Sequence, residues 1–324
     1  MLLERLISGP DAGALETKGD LSLDVTAICN DHRKVPKGGL FVCIEGFRAD
    51  GHDYIEGAVG NGAAAILTQR PLGELEARHG DALAGVTLIR AASARRAQAA
   101  LAARFYGDPS ESFALVGVTG TKGKTTTTHM INAIARLGLG ERRAAGGAAG
   151  AGAAVAGAEA GGAGALTHGE AAGAETAYGE AAAGAERQAR RGGELTGLIG
   201  TIKNLIGDEE IAARETTPES IELQKLFSDM RERGVGLVAM EVSSQGLALD
   251  RVSFCDFDVG LFTNFYNDHI SPFEHKNLDE YLEAKLKLFE LCDVGIANAD
   301  MDGAALEAAR RAAERSPKCR RLYT

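Results

Sequence analysis

The stretch Gly117-Val118-Thr119-Gly120-Thr121-Lys122-Gly123-Lys124-Thr125-Thr126-Thr127-Thr128 decides how this chain is read. Before it lies Phe113-Ala114-Leu115-Val116, a short apolar run of buried-strand type. After it, His129 to Leu137 carries apolar residues at helical spacing. A strand, a glycine loop and a helix in that order form the context of a phosphate site. Gly120 and Gly123 let backbone N–H groups close on phosphate oxygens, and the helix N-terminus adds positive potential. Lys124 is placed to reach the β- and γ-phosphates of a nucleotide, and the Thr125 hydroxyl to hold Mg²⁺. The strict G-x-x-x-x-G-K-[ST] pattern wants glycine at position 118, where Val118 stands; the first glycine comes one residue early, at Gly117. The bland alternative is a glycine-rich strand–helix turn with an incidental lysine.

The rest of the composition narrows the setting. A chain of 324 residues has room for two domains, each with its own core. Hydrophobic residues at 45% and charged residues at 25% are ordinary for a globular protein. A net charge of −10 argues against nucleic-acid partners and anionic membranes, so positive charge for phosphates must be held locally, as at Lys124. Nothing approaches the length of a membrane span or a signal-peptide core. The five cysteines are scattered and odd in number, which reads as reduced thiols in a cytoplasm.

Residues 1–108 read as a small α/β unit. Gly39 to Ile44, Ala63 to Leu67 and Val86 to Ile89 are strand-like; Ile55 to Gly62 and Ser93 to Phe105 suit helices, the second opened by a serine cap. Tyr106-Gly107-Asp108-Pro109-Ser110 breaks the pattern and marks a boundary. Residues 109–324 read as a second α/β domain. It is interrupted from about 140 to 193, where alanine and glycine make up two-thirds of the residues, a bias that cannot bury a core. That segment reads as a disordered or partly helical insertion; a partner-binding arm and a mis-assembled coding region are the alternatives. Joining Leu137 to Leu195 across it restores an ordinary helix–strand step. Leu195 to Thr201, Gly234 to Met240, Phe257 to Asn264 and Val294 to Asn298 then read as strands, with helices at Ile221 to Arg233 and Leu278 to Leu291. Such alternation predicts a mostly parallel sheet, whose ligands collect beyond the carboxyl ends of its strands. The loop at 117–125, Glu241 after its apolar strand, and Asn264 to His269 all fall at such ends. Taken alone, Glu241 is also readable as a surface carboxylate, His269 as a loop histidine and Lys285 as a solvated helix lysine beside Lys287.

Together these stations resemble the Mur ligases of peptidoglycan synthesis, most closely the tripeptide-forming type. The matching residues are the Gly117 to Thr128 loop, Thr216-Thr217-Pro218-Glu219-Ser220, Met240-Glu241-Val242-Ser243-Ser244, Leu249-Asp250-Arg251-Val252, Phe262-Thr263-Asn264 with Asp268-His269, and Tyr281 to Phe289. Asp31-His32-Arg33, Gly39 to Val42 and Asp50-Gly51-His52-Asp53 resemble that type's UDP-binding domain. The chain departs from the family pattern at His32, Gln245 and Ile270 to His275.

The resemblance implies an ATP-dependent ligase that adds a diamino acid to UDP-N-acetylmuramoyl-L-alanyl-D-glutamate through an acyl phosphate. It implies a UDP-binding N-terminal domain, a central P-loop domain, and a C-terminal ligase domain that is absent from residues 1–324. It assigns ATP contacts to Gly120, Thr121, Lys122, Gly123, Lys124, Thr125, Thr126 and Asn264. Substrate contacts fall to Asp31, Arg33, Thr216, Thr217, Ser243 and Arg251. Thr125, Glu241, His269 and a carbamylated Lys285 would hold Mg²⁺, with Lys124, His269 and Lys285 catalytic. A monomer acting on small molecules, with no nucleic acid and no membrane insertion, is expected. An inactive fragment that binds ATP and a UDP-sugar, or another ligase of the superfamily such as folylpolyglutamate synthase, are the competing readings.

Overall fold

A computed structural model of the chain describes residues 1–9, 13–46, 49–149, 193–268, 270, 271 and 274–324. Among the described residues the strands fall into two sheets.

The first sheet has β1 (Ala14–Lys18), β2 (Ile28–Cys29), β3 (Gly39–Val42), β4 (Ala63–Thr68) and β5 (Thr87–Ala91), in the order β1-β5-β4-β3-β2. Only β1 runs antiparallel to its neighbour. Helices α1 (Leu3–Ile7), α2 (Ile55–Asn61), α3 (Leu72–His79) and α4 (Ala94–Phe105) surround it. Successive strand residues point to opposite faces, so Leu40 and Val42 join one apolar cluster while Phe41 and Cys43 join another. Burial on both faces is why these strands read as unbroken apolar runs. The Asp50 to Asp53 stretch is internally bonded. Buried His52 bridges Asp50 (2.6 Å) and Thr68 (2.8 Å), and Arg70 donates to Asp50 and to Glu45 (3.0 Å).

The second sheet has β6 (Ala114–Thr119), β7 (Leu195–Ile199), β8 (Lys203–Ile206), β9 (Glu209–Ala212), β10 (Val235–Glu241), β11 (Phe257–Phe262), β12 (Cys292–Ala297) and β13 (Arg321–Tyr323). Their order is β13-β12-β11-β6-β10-β7-β8-β9, parallel throughout except for the β7–β8–β9 hairpins at one edge. Its helices are α5 (Lys124–Ala149), α6 (Ser220–Glu232), α7 (Ser244–Ala248), α8 (Leu278–Leu286), α9 (Leu288–Leu291) and α10 (Gly303–Arg315). The long α5 continues past Leu137 into the Ala/Gly-rich stretch as far as Ala149. Residues 150–192 of the expected insertion lie outside the described residues. The two sheets are joined through α4 and α6, where buried Gln98 donates to buried Ser220 (2.9 Å) and Ile221 packs on the core of the first unit.

One register row positions the site. Gly117, Gly260 and Gly295 stand side by side on β6, β11 and β12. A Cβ at Gly260 would meet Cys292 Sγ at 2.8 Å and Leu288 at 3.0 Å; one at Gly117 would meet the Phe257 ring at 2.7 Å. One at Gly295 would meet the Phe289 ring at 2.9 Å. The row is a trough into which Leu288 and Phe289 sink, both fully buried. The helix expected over Leu278 to Leu291 is accordingly two helices. At the step the Glu290 N–H donates to the Lys287 carbonyl three residues back (3.0 Å), a tightened turn. Seating α9 in the trough fixes α8, which carries Lys285.

Gly260→Ala is expected to destabilise the chain by about 1–3 kcal/mol, because the added methyl overpacks the trough. Gly303→Ala, with open space around it, should be neutral or slightly stabilising. Urea unfolding of both variants checks this; equal midpoints would remove the trough from the account.

Candidate functional site

The phosphate-loop segment joins β6 to α5. Gly120 and Gly123 adopt φ +147° and +84°, and a Cβ at Gly120 would fall 1.9 Å from Thr263 Oγ1. Glycine is required there both for the backbone and for the close approach. The loop is latched from the end of β11. Asn264 accepts the Lys122 N–H through its side-chain oxygen (2.9 Å) and donates to the Lys122 carbonyl (3.0 Å). Its backbone carbonyl accepts the Thr121 N–H (3.0 Å), and Thr263 Oγ1 donates to the Lys122 carbonyl (2.7 Å). The buried Thr121 hydroxyl accepts from Tyr281 Oη (3.2 Å) and from the Tyr266 N–H (3.0 Å). Thr121, Lys122 and Asn264 thus shape the loop. The amides of Lys124, Thr125 and Thr126, in the first turn of α5, belong to the set that a helix leaves without intrahelical partners.

Two lysines meet at this loop. Lys124 Nζ and Lys285 Nζ both donate to the Gly120 carbonyl, at 2.9 and 3.0 Å. Lys285 comes from α8, is 1% exposed, and sits 4.4 Å from the centre of the Tyr281 ring. Burial pushes its amine down from 10.5 to about 6; the Lys124 charge pushes the same way and Asp268 opposes. At neutral pH Lys285 is therefore largely an uncharged amine. Lys124 is also lowered, by burial first, with Glu241 and Asp268 acting against it.

Glu241 ends β10 and is 1% exposed. Its Oε2 accepts from the hydroxyls of Thr125 (2.9 Å) and Thr201 (3.1 Å), and its Oε1 from the Thr201 N–H (3.0 Å). A Cβ at Gly200 would stand 2.4 Å from Oε1, so glycine makes room for the carboxylate. Thr216 Oγ1 lies 3.0 Å from Thr201 Oγ1. Thr217, fully buried, donates to the Glu241 carbonyl (3.0 Å) and accepts the Ser243 N–H (2.9 Å). Ser243 caps α7 by accepting from the Gly246 N–H. The sequence-expected Thr125, Thr216, Thr217, Ser243 and Glu241 are thus one bonded group.

A cavity of about 320 Å³ opens beside this group, lined by Lys124, Lys285, Thr216, Ser243 and Arg251 among others. Arg251 donates to the Thr217 carbonyl (2.9 Å) and pairs with Glu215 and with Glu219 (2.8 Å). Glu219 also lines a second cavity of about 350 Å³ between the two sheets, shared with Asp31, Lys34, Arg214 and Lys225. The Arg251–Glu219 pair is therefore the wall between the cavities. Asp31 and Arg33 form a bidentate pair (2.9 Å for both bonds), and the Arg33 hydrogen bond holds the Asp31 carboxyl down at about 2. His32, where the chain departs from the family pattern, stacks on Tyr54 with ring centres 4.7 Å apart.

His269 lies outside the described residues; its neighbour Asp268 is placed, and its charge reaches Lys124, Lys285 and Tyr281. Sequence reading missed Thr201, which stands just past the end of β7, and His275. The latter is 1% exposed, with Nε2 2.9 Å from Ser244 Oγ and its ring 5.2 Å from that of Tyr281. No motif flagged it, because its neighbours are brought up by the fold.

Comparison with known proteins bears on both units. Residues 24–106 match a family profile described as Mur ligase family, catalytic domain, and residues 180–319 match Mur ligase middle domain. The chain is 36% identical over 276 residues to the UDP-N-acetylmuramoyl-L-alanyl-D-glutamate--2,6-diaminopimelate ligase of Caldanaerobacter subterraneus subsp. tengcongensis, covering 85% of this chain and 44% of that protein. To the protein of the same name from Alkaliphilus metalliredigens it is 37% identical over 280 residues, covering 86% of this chain and 44% of the relative. The chain thus spans under half the length of these relatives. A solved structure of a UDP-N-acetylmuramoyl-L-alanyl-D-glutamate--2,6-diaminopimelate ligase shares the fold, with a TM-score of 0.66 at 19% identity over 99% of this chain and 51% of that one. Identity above one third along most of its residues, on that shared fold, establishes that this chain belongs to the Mur ligase family.

Proposed function

We propose that this chain carries the ATP-binding and UDP-muramoyl-dipeptide-binding parts of an ATP-dependent amide ligase. The reaction would join a diamino acid, 2,6-diaminopimelate in the relatives' names, to the D-glutamate of UDP-N-acetylmuramoyl-L-alanyl-D-glutamate. The observation that carries this reading is the meeting of Lys124 and Lys285 on the Gly120 carbonyl, beside the Thr125–Glu241 pair.

Such a ligase must bring a carboxylate against the γ-phosphate of ATP, two anions, before an amine attacks the resulting acyl phosphate. Its catalysis is then mostly charge neutralisation and positioning. Lys124 and the N-terminus of α5 supply fixed positive potential at the loop. The Thr125 hydroxyl and the buried Glu241 carboxylate are oxygen donors 2.9 Å apart, a fit for a hard divalent cation such as Mg²⁺. That ion would screen the phosphate charge when bound.

Lys285 fits the carbamylation expected of it. Its uncharged amine can attack CO₂, forming a C–N bond and releasing a proton to solvent. The product is an anion beside Lys124, so the contact between the two side chains becomes an attractive one. The carbamate, with His269, would provide a second oxygen- and nitrogen-based site for the cation. Asp31 and Arg33 would contact the uridine end of the substrate in the second cavity. Thr216, Ser243 and Arg251 would contact the muramoyl-dipeptide, Arg251 exchanging Glu215 or Glu219 for a substrate anion.

A span of under half the relatives' length favours one other reading: ATP and the UDP-sugar are bound and no amide forms. ADP release that requires both the dipeptide substrate and the diamino acid supports ligation. Binding of both nucleotides without such release supports the second reading, and absence of ATP binding rejects both.

Lys124→Ala is expected to weaken ATP binding at least about tenfold by calorimetry, as loss of a charge-assisted contact implies, while Lys122→Ala does so far less. Labelled bicarbonate should give a carbamate NMR signal that Lys285→Ala abolishes and Lys287→Ala keeps; loss in both, or in neither, removes the carbamate. The same lysine sets a pH dependence. Because its folded value is depressed to about 6 from 10.5, the unfolded chain binds more protons between those limits. The Lys285 contribution to stability therefore rises with pH across that window and is flat below about 6. Lys285→Met should be stabilised relative to the parent most at and below pH 6, the difference shrinking toward higher pH. A pH-independent difference in Tm contradicts this.

A further inference from the structure

Cys292 opens β12 and is fully buried against Gly260. Cys319 lies two residues before β13 and is half-buried, packed against the same core. Strands β12 and β13 pair in parallel with Val294 opposite Arg321. The pairing runs on past the strand end, since the Arg320 N–H donates to the Asp293 carbonyl (2.8 Å). One further step of the same register sets Cys319 beside Cys292. The Cys319 thiol donates to the Arg321 carbonyl (3.5 Å). Adjacent strands lie roughly 4.8 Å apart, inside the roughly 4.4–6.8 Å Cα separation that a disulfide spans.

The surroundings divide the roles of the two sulfurs. Cys319 faces a cleft of about 350 Å³ lined by Arg310, Glu314, Arg320 and Arg321, so an external reagent reaches it first. Cys292 has no such access. Its thiol is pushed up to about 12, by burial first and then by the charge and hydrogen bond of Cys319, while the Lys318 ammonium acts the other way. Capping Cys319 removes the contributions of Cys319 and leaves that of Lys318. Lys318 is itself fixed by Asp256 (2.8 Å) and the Leu291 carbonyl (2.7 Å).

We propose that Cys292 and Cys319 are a redox-sensitive pair that closes to a disulfide by exchange with a small external disulfide such as oxidised glutathione. The Cys319 thiolate attacks one glutathione sulfur, forming a mixed disulfide and releasing one glutathione thiol. Cys292 loses its proton to solvent and attacks the Cys319 sulfur, and the second glutathione thiol leaves. Two protein thiols are oxidised and one glutathione disulfide is reduced to two thiols. The bond ties the edge strand β13, and α10 before it, to the strand that follows the Lys285 helices.

The test is incubation of the chain with oxidised glutathione, followed by non-reducing peptide mass spectrometry and thermal unfolding. The expected result is a Cys292–Cys319 cross-linked peptide lacking two hydrogens. It should come with a rise in Tm on the order of 5 °C, reversed by dithiothreitol. Cys319→Ser should show neither change, and Cys292→Ala should retain glutathione on Cys319. A parent chain that keeps glutathione on Cys319 without cross-linking overturns the proposal, as does one that leaves Cys319 unreacted or links it to another cysteine.

Discussion

The site depends on one carbonyl. The Gly120 oxygen accepts from Lys124 and from Lys285, and two full positive charges so close, one of them on a buried lysine, cannot both persist cheaply. The fold resolves this by letting one amine be neutral. Lys124 is only half-buried, and Glu241 and Asp268 work against the lowering of its amine; Lys285, enclosed by Tyr281 and the sheet, is pushed toward the neutral form. On the proposed reading, one lysine would serve as an electrostatic clamp and the other as a nucleophilic amine. The difference comes from environment alone.

That arrangement reaches back to the glycine trough. Gly117, Gly260 and Gly295 let α9 sink onto the sheet, and the tightened turn at Lys287 then directs Lys285 inward while Lys287 stays exposed. From the other side, Asn264 and Thr263 grip the loop so that the Gly120 carbonyl faces both amines. Glu241 is held by threonine hydroxyls contributed from α5 and from the segments after β7 and before α6. The loop after β6, Glu241 at the end of β10, Thr201 after β7 and Asn264 after β11 stand at carboxyl strand ends, the general geometry of ligand sites in parallel sheets, and α8 brings in Lys285.

Much of this was legible in the residues. Buried parallel strands such as Leu115 to Val118 and Val238 to Met240 announce themselves as apolar runs, and the loop at 117–125 declares its chemistry through glycine, lysine and threonine. Local signals failed where packing decides. The β8–β9 hairpin is short, and its second strand opens on exposed Glu209 and Glu210. Helix α10 buries Ala305, Ala309 and Ala312, a stripe that carries little contrast in an alanine-rich chain. The glycine trough is invisible until register aligns three distant strands, and Thr201 and His275 gain meaning only from neighbours that tertiary structure provides. The paired carboxylates on Arg251 likewise could not be read from Leu249-Asp250-Arg251-Val252.

The most direct test is an NMR titration of lysine side chains in CO₂-free buffer, with Lys285→Met identifying the resonance. The account requires one lysine, Lys285, to titrate with a midpoint near 6. A Lys285 midpoint near its ordinary 10.5 would mean that both amines are charged at neutral pH, and the neutral-amine account of the site would be wrong.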